Sequence, residues 1–276
     1  MTRRLPWGRW VLAGYTVLVL LYLLFPLLIV VPLSFGDDAF MRFPPSALSL
    51  KWYGSYFGDP QWMRATALSF QVALMASAMA TVIGTLAALG LERRRVPARP
   101  AVQVLLTAPM IVPHIFLALG VFILAVRFGG AGQAFTLACA HAAIALPFVV
   151  LMVGAALRQL DPSLERAARV LGAGPVRAFM TATLPGLLPS VVAAAVFSFF
   201  VSFDELVIAE FLMAGRETLP MRIWADLKLQ LNPTVSAVST LLIAVTVVAL
   251  GAAEGLRRRG EARSLTGRAG QPTEKT

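Results

Sequence analysis

The sequence predicts an all-helical integral membrane protein that crosses the bilayer about six times, and three observations predict it. Hydrophobic residues fill 58% of the 276 positions and charged residues only 14%, whereas a soluble domain carries roughly 45–50% apolar and about 25% charged residues. The mean hydropathy is +0.76, a surplus of apolar surface that one water-soluble core of this length cannot hide. The apolar residues also run in long blocks, and about 20 in a row cross the hydrocarbon layer as a helix.

Six blocks have the length and composition of spans: residues 10–35, 66–91, 102–126, 134–157, 186–213 and 233–256. The first is too long for the apolar core of a signal peptide and no small-x-small site follows it, so it reads as a retained span. Pro109, Pro113 and Pro147 mark kinks within spans, which are tolerated where neighbours satisfy the freed carbonyls. Gly84 and Gly120 suit close helix packing. Cys139 stands alone, so there is neither a disulfide framework nor a thiol metal cluster. His114 and His141 are lone residues in apolar runs with no carboxylate or cysteine at ligand spacing, and read as packing residues rather than metal ligands.

The net charge of +10 is confined to the ends and to the connections between apolar blocks. With the blocks threaded in order, 17 of the 24 basic residues fall on one side, in the amino terminus, the second–third and fourth–fifth connections, and the tail. The positive-inside rule makes that side cytoplasmic, and this division fits membrane orientation rather than nucleic-acid binding. The chain then divides into a cytoplasmic amino terminus (1–9), a transmembrane domain (10–256) and a polar cytoplasmic tail (257–276). The outer connection 36–65 is rich in aromatic residues, Trp52, Tyr53, Tyr56, Phe57 and Trp62, suited to the bilayer interface.

The 28-residue connection 158–185 on the basic side is more than a linker. Asp161 followed by Pro162 is a helix start, a capping carboxylate with proline in the first turn. Leu160, Leu164, Ala168 and Leu171 recur at helical spacing as one apolar stripe. Gly172 suits a left-handed stop, Gly174-Pro175 begins a second helix, and that helix is expected to end near Leu184-Pro185. A bent pair of short amphipathic helices serves either to dock a partner or to lie on the membrane surface, and these residues alone leave both open.

A resemblance decides between them. Glu165-Arg166-Ala167-Ala168-x-x-x-Gly172, followed by Leu184-Pro185, resembles the E-A-A-x3-G-x9-I-x-L-P loop of binding-protein-dependent ABC importer permeases. Arg166 stands where the motif has glutamate and Ala182 where it has isoleucine; Glu165 lies one residue early. Leu50-Lys51-Trp52-Tyr53, Ser202-Phe203-Asp204-Glu205, Thr218-Leu219-Pro220-Met221, and Asn232-Pro233-Thr234 leading into Ser239-Thr240-Leu241-Leu242 are similar to the spermidine/putrescine-type permeases. The resemblance implies a coupling loop carried by Asp161, Glu165, Arg166, Ala167, Ala168, Leu171, Gly172, Gly174, Leu184 and Pro185. It also implies partners: two cytoplasmic ATP-binding subunits, a second permease chain, paralogous to this one, and a periplasmic or extracellular solute-binding protein. The setting it implies is the bacterial inner membrane.

Asp204, Glu205 and Glu210 lie within the fifth apolar block, where charge is expensive and marks a pathway or a pairing. One reading lines a cation path with Asp204 or Glu205. The other pairs them with Arg222, Lys228 or a partner subunit, or lets them snorkel outward. The chain has no G-x-x-x-x-G-K-[ST], nucleophile elbow or H-E-x-x-H helix, so it carries no cofactor site of its own, and ATP is expected to be hydrolysed by a partner. The competing class is a secondary transporter working without an ATPase. Such folds often carry inverted repeats, and none is visible between the first three and last three blocks.

Overall fold

The computed structural model describes residues 6–39, 41–93, 96–229, 232–248 and 251. The tail 257–276, the end of the sixth predicted span and Arg94 and Arg95 of the second–third connection lie outside the described residues. So does the start of the amino-terminal segment.

The described residues are helical apart from short connections. In order they form α1 (Pro6–Ser34), α2 (Lys51–Gly58), α3 (Pro60–Arg93), α4 (Arg99–Ile111), α5 (His114–Arg127), α6 (Ala134–Gln159), α7 (Pro162–Val170), α8 (Pro175–Ala178), α9 (Leu184–Phe203), α10 (Val207–Leu212) and α11 (Leu219–Leu229). They close with α12 (Thr234–Val248). Among the described residues, four continuous stretches are long and apolar enough to cross a membrane: α1, α3, α6 and the run Pro175–Phe203. The bent pair α4 and α5 passes the same test when taken together, and the shorter apolar helix α12 lies within the sixth predicted span.

Two predicted spans differ in shape from the sequence reading. The third is not one helix: α4 and α5 meet at a bend of 101°. Val112, between them, is extended (φ −73°, ψ 127°) because a following proline disfavours the helical region for the residue before it. Pro109 and Pro147 sit inside α4 and α6 without such a break. The fifth span, read as 186–213, ends its long helix at Phe203, passes through Asp204, Glu205 and Leu206, and resumes as the short α10. The three carboxylates therefore do not continue the straight helix that ends at Phe203.

Two compact units are present. In the first, residues 1–60 and 225–276, the Tyr53 hydroxyl lies 2.8 Å from Ser34 Oγ and its ring packs on Phe35. The second unit, residues 61–224, holds the core. There α6 is the central helix: Leu137, Ala145, Val149 and Val153 are fully buried against Val72, Ala76 and Ala80 of α3 and Leu187 and Ala194 of α9. Small residues let these backbones approach, as membrane packing requires. A Cβ on Gly84 would stand 2.7 Å from Val149 Cβ, whereas one on Gly120 would meet nothing within 4 Å. Gly84 thus has the packing role expected of it, whereas Gly120 makes no such approach within this chain. The Ser77 hydroxyl donates to the Ala195 carbonyl at 2.6 Å, joining α3 to α9. Trp62, read as an interface aromatic, is instead a fully buried part of this unit.

Candidate functional site

The loop 158–185 begins as expected. Asp161 caps α7, its carboxylate accepting the Ser163 N–H at 2.8 Å. The side-chain and backbone hydrogen bonds of Ser163 hold this carboxyl below the usual range. At the other end Gly172 has φ +89°. The Gly172 N–H donates to Arg169 O and the Ala173 N–H to Ala168 O, each at 3.0 Å, the two bonds of a Schellman stop. Gly174 is the extended residue before α8 (φ −62°, ψ 163°).

The second helix of the pair starts at Pro175 as predicted but does not end at Leu184-Pro185. A π-helical turn over Phe179–Thr183 joins α8 to α9, so the helix runs on into the fifth span. Pro185 is tolerated inside this continuous helix because it follows directly on the π-helical turn, a local adjustment of the kind that accommodates a proline.

The loop presents an apolar tip. Val170 is 88% exposed, Leu171 87% and Val176 75%, grouped around the Gly172 turn. Arg166 and Ala167 are exposed beside them and Ala168 is half-buried. Glu165 alone among the motif residues turns inward. It is 9% exposed and is met by Arg93 of α3, by Arg169 at 2.7 Å and by the Thr183 hydroxyl at 2.8 Å. Burial pushes its carboxyl upward, but the hydrogen bonds from Thr183, Arg93 and Arg169 outweigh that and hold it below the usual range. The neighbouring Glu92 receives Arg158 of α6 at 2.5 Å and Arg99 of α4 at 2.9 Å.

The intramembrane carboxylates separate into two kinds. Glu205 is buried (6% exposed) in the break between α9 and α10. One oxygen accepts the Ile208 N–H at 2.8 Å and the Ala209 N–H at 3.3 Å, and lies 3.5 Å from His141 Nε2. The other lies 3.5 Å from His114 Nδ1. His141 is itself 1% exposed, with Nδ1 at 2.8 Å from Ser202 Oγ. Glu205 is thus held by backbone amides, with two histidines at 3.5 Å, rather than by the expected arginine or lysine. Arg222 contacts Gln61, Glu217 and the Trp62 ring. Asp204 and Glu210, by contrast, are exposed.

His114 and His141 are therefore not mere packing residues, as the sequence reading had them. Their partner lies 91 and 64 positions away, and no local spacing signals it. Arg93 and Thr183 escaped for the same reason. Among the described residues no three His, Cys, Asp or Glu side chains form a group able to hold a metal ion.

The profile of the family described as "Binding-protein-dependent transport system inner membrane component" matches residues 80–259. The putrescine transport system permease protein PotI of Escherichia coli (strain K12) is 31% identical over 249 residues, covering 87% of this chain and 86% of that protein. The spermidine/putrescine transport system permease protein PotC of the same strain is 30% identical over 252 residues, covering 91% and 95%. In fold, the chain is similar to a subunit in the crystal structure of a bacterial ABC transporter involved in the import of the acidic polysaccharide alginate. The TM-score is 0.69 at 15% identity, over 92% of this chain and 98% of that one. With its apolar spans and its bent loop helices, this chain belongs to the binding-protein-dependent transport system inner membrane component family and is a multi-pass inner-membrane permease subunit of an ABC importer.

Proposed function

We propose that the chain forms half of the solute pathway of an ATP-driven importer for a polyamine or a related small organic solute. The observation that carries the importer assembly is the α7–Gly172–α8 element. A capped helix, a left-handed stop and an exposed apolar tip of Val170, Leu171 and Val176 suit insertion into a cleft of an ATP-binding subunit. In this reading both termini and that loop are cytoplasmic. A second permease chain completes the path, two ATP-binding subunits dock below, and a solute-binding protein delivers solute from outside. Closure of the ATP-binding subunits pulls on the docking helices and switches the spans between outward and inward access. ATP hydrolysis belongs to the partner, and this chain contributes no cofactor.

The names of the putrescine and spermidine/putrescine relatives support a polyamine. So does chemistry at the fifth-span break, where Asp204 and Glu210 are exposed carboxylates able to receive an ammonium group, while Glu205 is engaged by the histidines.

The test is uptake of labelled putrescine into proteoliposomes containing this chain with and without the ATP-binding, paralogous permease and binding-protein subunits. Uptake is expected only with the full set and ATP. Ion-gradient-driven uptake by this chain alone would make it a secondary carrier. ATP-dependent uptake of an anionic solute in place of putrescine would overturn the polyamine assignment alone.

A further inference from the structure

Covalent connection ties the docking helix α7 to only two spans: α6 before it and α9, through α8, after it. The second span, α3, reaches the same place through space. Its last residue, Arg93, bonds Glu165 on the inner face of α7 and donates to the Thr183 hydroxyl at 2.9 Å. The guanidinium also lies over the Phe179 ring, 5.5 Å from its centroid.

An open cavity of about 520 Å³ lies beside α7, lined among others by Leu157, Leu160, Leu164 and Ala182. Beside it Arg93 joins α3 to α7 by polar bonds, and a charge-assisted bond to a sheltered carboxylate is stronger and more directional than a neutral one. Glu165, held below the usual carboxylate range, is ionised at neutral pH. Next in sequence to Arg93, Glu92 binds the end of α6 through Arg158 and the start of α4 through Arg99.

We propose that Arg93 and Glu165 form a strut that passes movement of the docking helix into the second span, with Glu92 distributing it to the third and fourth. Arg93 is a positioning residue: it faces inward, away from the exposed tip at Val170 and Leu171, and acts through Glu165. The proposal rests on the importer reading above and adds the route by which the loop is coupled.

The test uses the assembled complex in proteoliposomes with Arg93→Met, Arg93→Lys, Glu165→Gln and the Arg93→Met/Glu165→Gln double variant. Arg93→Met is expected to leave co-purification of the ATP-binding subunit, basal ATP hydrolysis and the solute KM as in the wild type. Its solute-stimulated hydrolysis and uptake are expected to fall at least about fivefold, the lower end of ordinary coupling between sites. Arg93→Lys should restore part of the loss. The double variant should be no worse than either single one, since non-additivity is the signature of two residues acting through each other. Full coupling in Arg93→Met, additive losses, or loss of co-purification in Arg93→Met would each overturn the strut. Failure of the wild-type chain itself to co-purify with an ATP-binding subunit would instead overturn the importer reading.

Discussion

Glu205 and His141 face each other at 3.5 Å inside the second unit, both almost wholly buried, with Glu205 also holding the Ile208 and Ala209 amides at the break in the fifth span. Removing the carboxylate leaves the Ile208 and Ala209 N–H groups without their side-chain acceptor in an apolar surround. An unsatisfied buried group costs about 1–3 kcal/mol, so with two backbone donors stranded Glu205→Ala is expected to lower stability by roughly 2–6 kcal/mol. Glu205→Gln keeps an acceptor oxygen and should lose less than half of that. Thermal unfolding of the detergent-solubilised chain measures both; equal losses would show that the amide bonds to Glu205 contribute little.

Asp204, one residue away, should behave oppositely. It is exposed, and surface substitutions away from buried networks change stability by less than about 0.5 kcal/mol. Asp204→Asn is therefore expected to unfold as the wild type does while raising the KM for putrescine uptake severalfold. A normal KM would remove Asp204 from the pathway.

Adjacent residues with identical chemistry thus take different roles, and this is where reading the sequence runs out. Hydropathy reveals spans because length and apolarity are local properties. The α7 cap at Asp161, the glycine stop and the start of the second loop helix are local too, and each lies where the residue types place it. The break at Asp204–Leu206 is different. Glu205 caps the start of α10 locally, through the Ile208 and Ala209 N–H groups, but the histidines beside its carboxylate come from α6 and the start of α5, where no local pattern shows them. Proline shows the same limit. Pro113 accompanies a 101° bend, while Pro109 and Pro147 lie within continuous helices, so proline alone does not mark a break. Glu165 was legible as a motif residue, but not its inward direction, which depends on Arg93 and Thr183.

The Glu165 anchor carries a pH signature. Its folded-state value lies below 4.5, its ordinary value, so its stabilisation is complete above about 4.5 and is lost as the pH falls through the lower folded value. Hydrogen exchange of peptides covering residues 162–183, corrected for intrinsic rates, should show protection constant from pH 7 to 5 and declining below that. Glu165→Gln should lack the part of the decline due to Glu165, leaving that of Asp161. A fall in wild-type protection between pH 7 and 5 would point to a histidine instead.

Gly84 and Gly120 form an internal control on packing. In Gly84→Ala the new Cβ meets Val149 Cβ and Cγ1 at 2.7 Å, atoms close to a helix backbone that yields little. Overpacking of this kind costs about 1–3 kcal/mol. Gly120→Ala meets nothing and should stay within about 0.5 kcal/mol of the wild type or gain slightly from helix propensity. Val149→Ala should recover part of the Gly84→Ala loss. Thermal unfolding of the four chains decides it, and similar losses at the two glycines would refute the close approach of α3 and α6.

Gly172 separates backbone strain from partner contact. Its φ of +89° strains any side chain, yet a Cβ there meets no atom of this chain within 4 Å. Ala and Trp should therefore bear a similar intramolecular cost, about 1–2 kcal/mol for the left-handed conformation, and should unfold within about 0.5 kcal/mol of each other. They differ only in the volume offered to whatever approaches the Val170–Leu171 tip. If a partner backbone seats against this turn, Gly172→Trp abolishes solute-stimulated ATP hydrolysis in the assembled complex while Gly172→Ala retains a substantial part. Equal coupling in the two variants would mean that nothing closes on Gly172, and the docking surface would then have to be sought elsewhere on the loop.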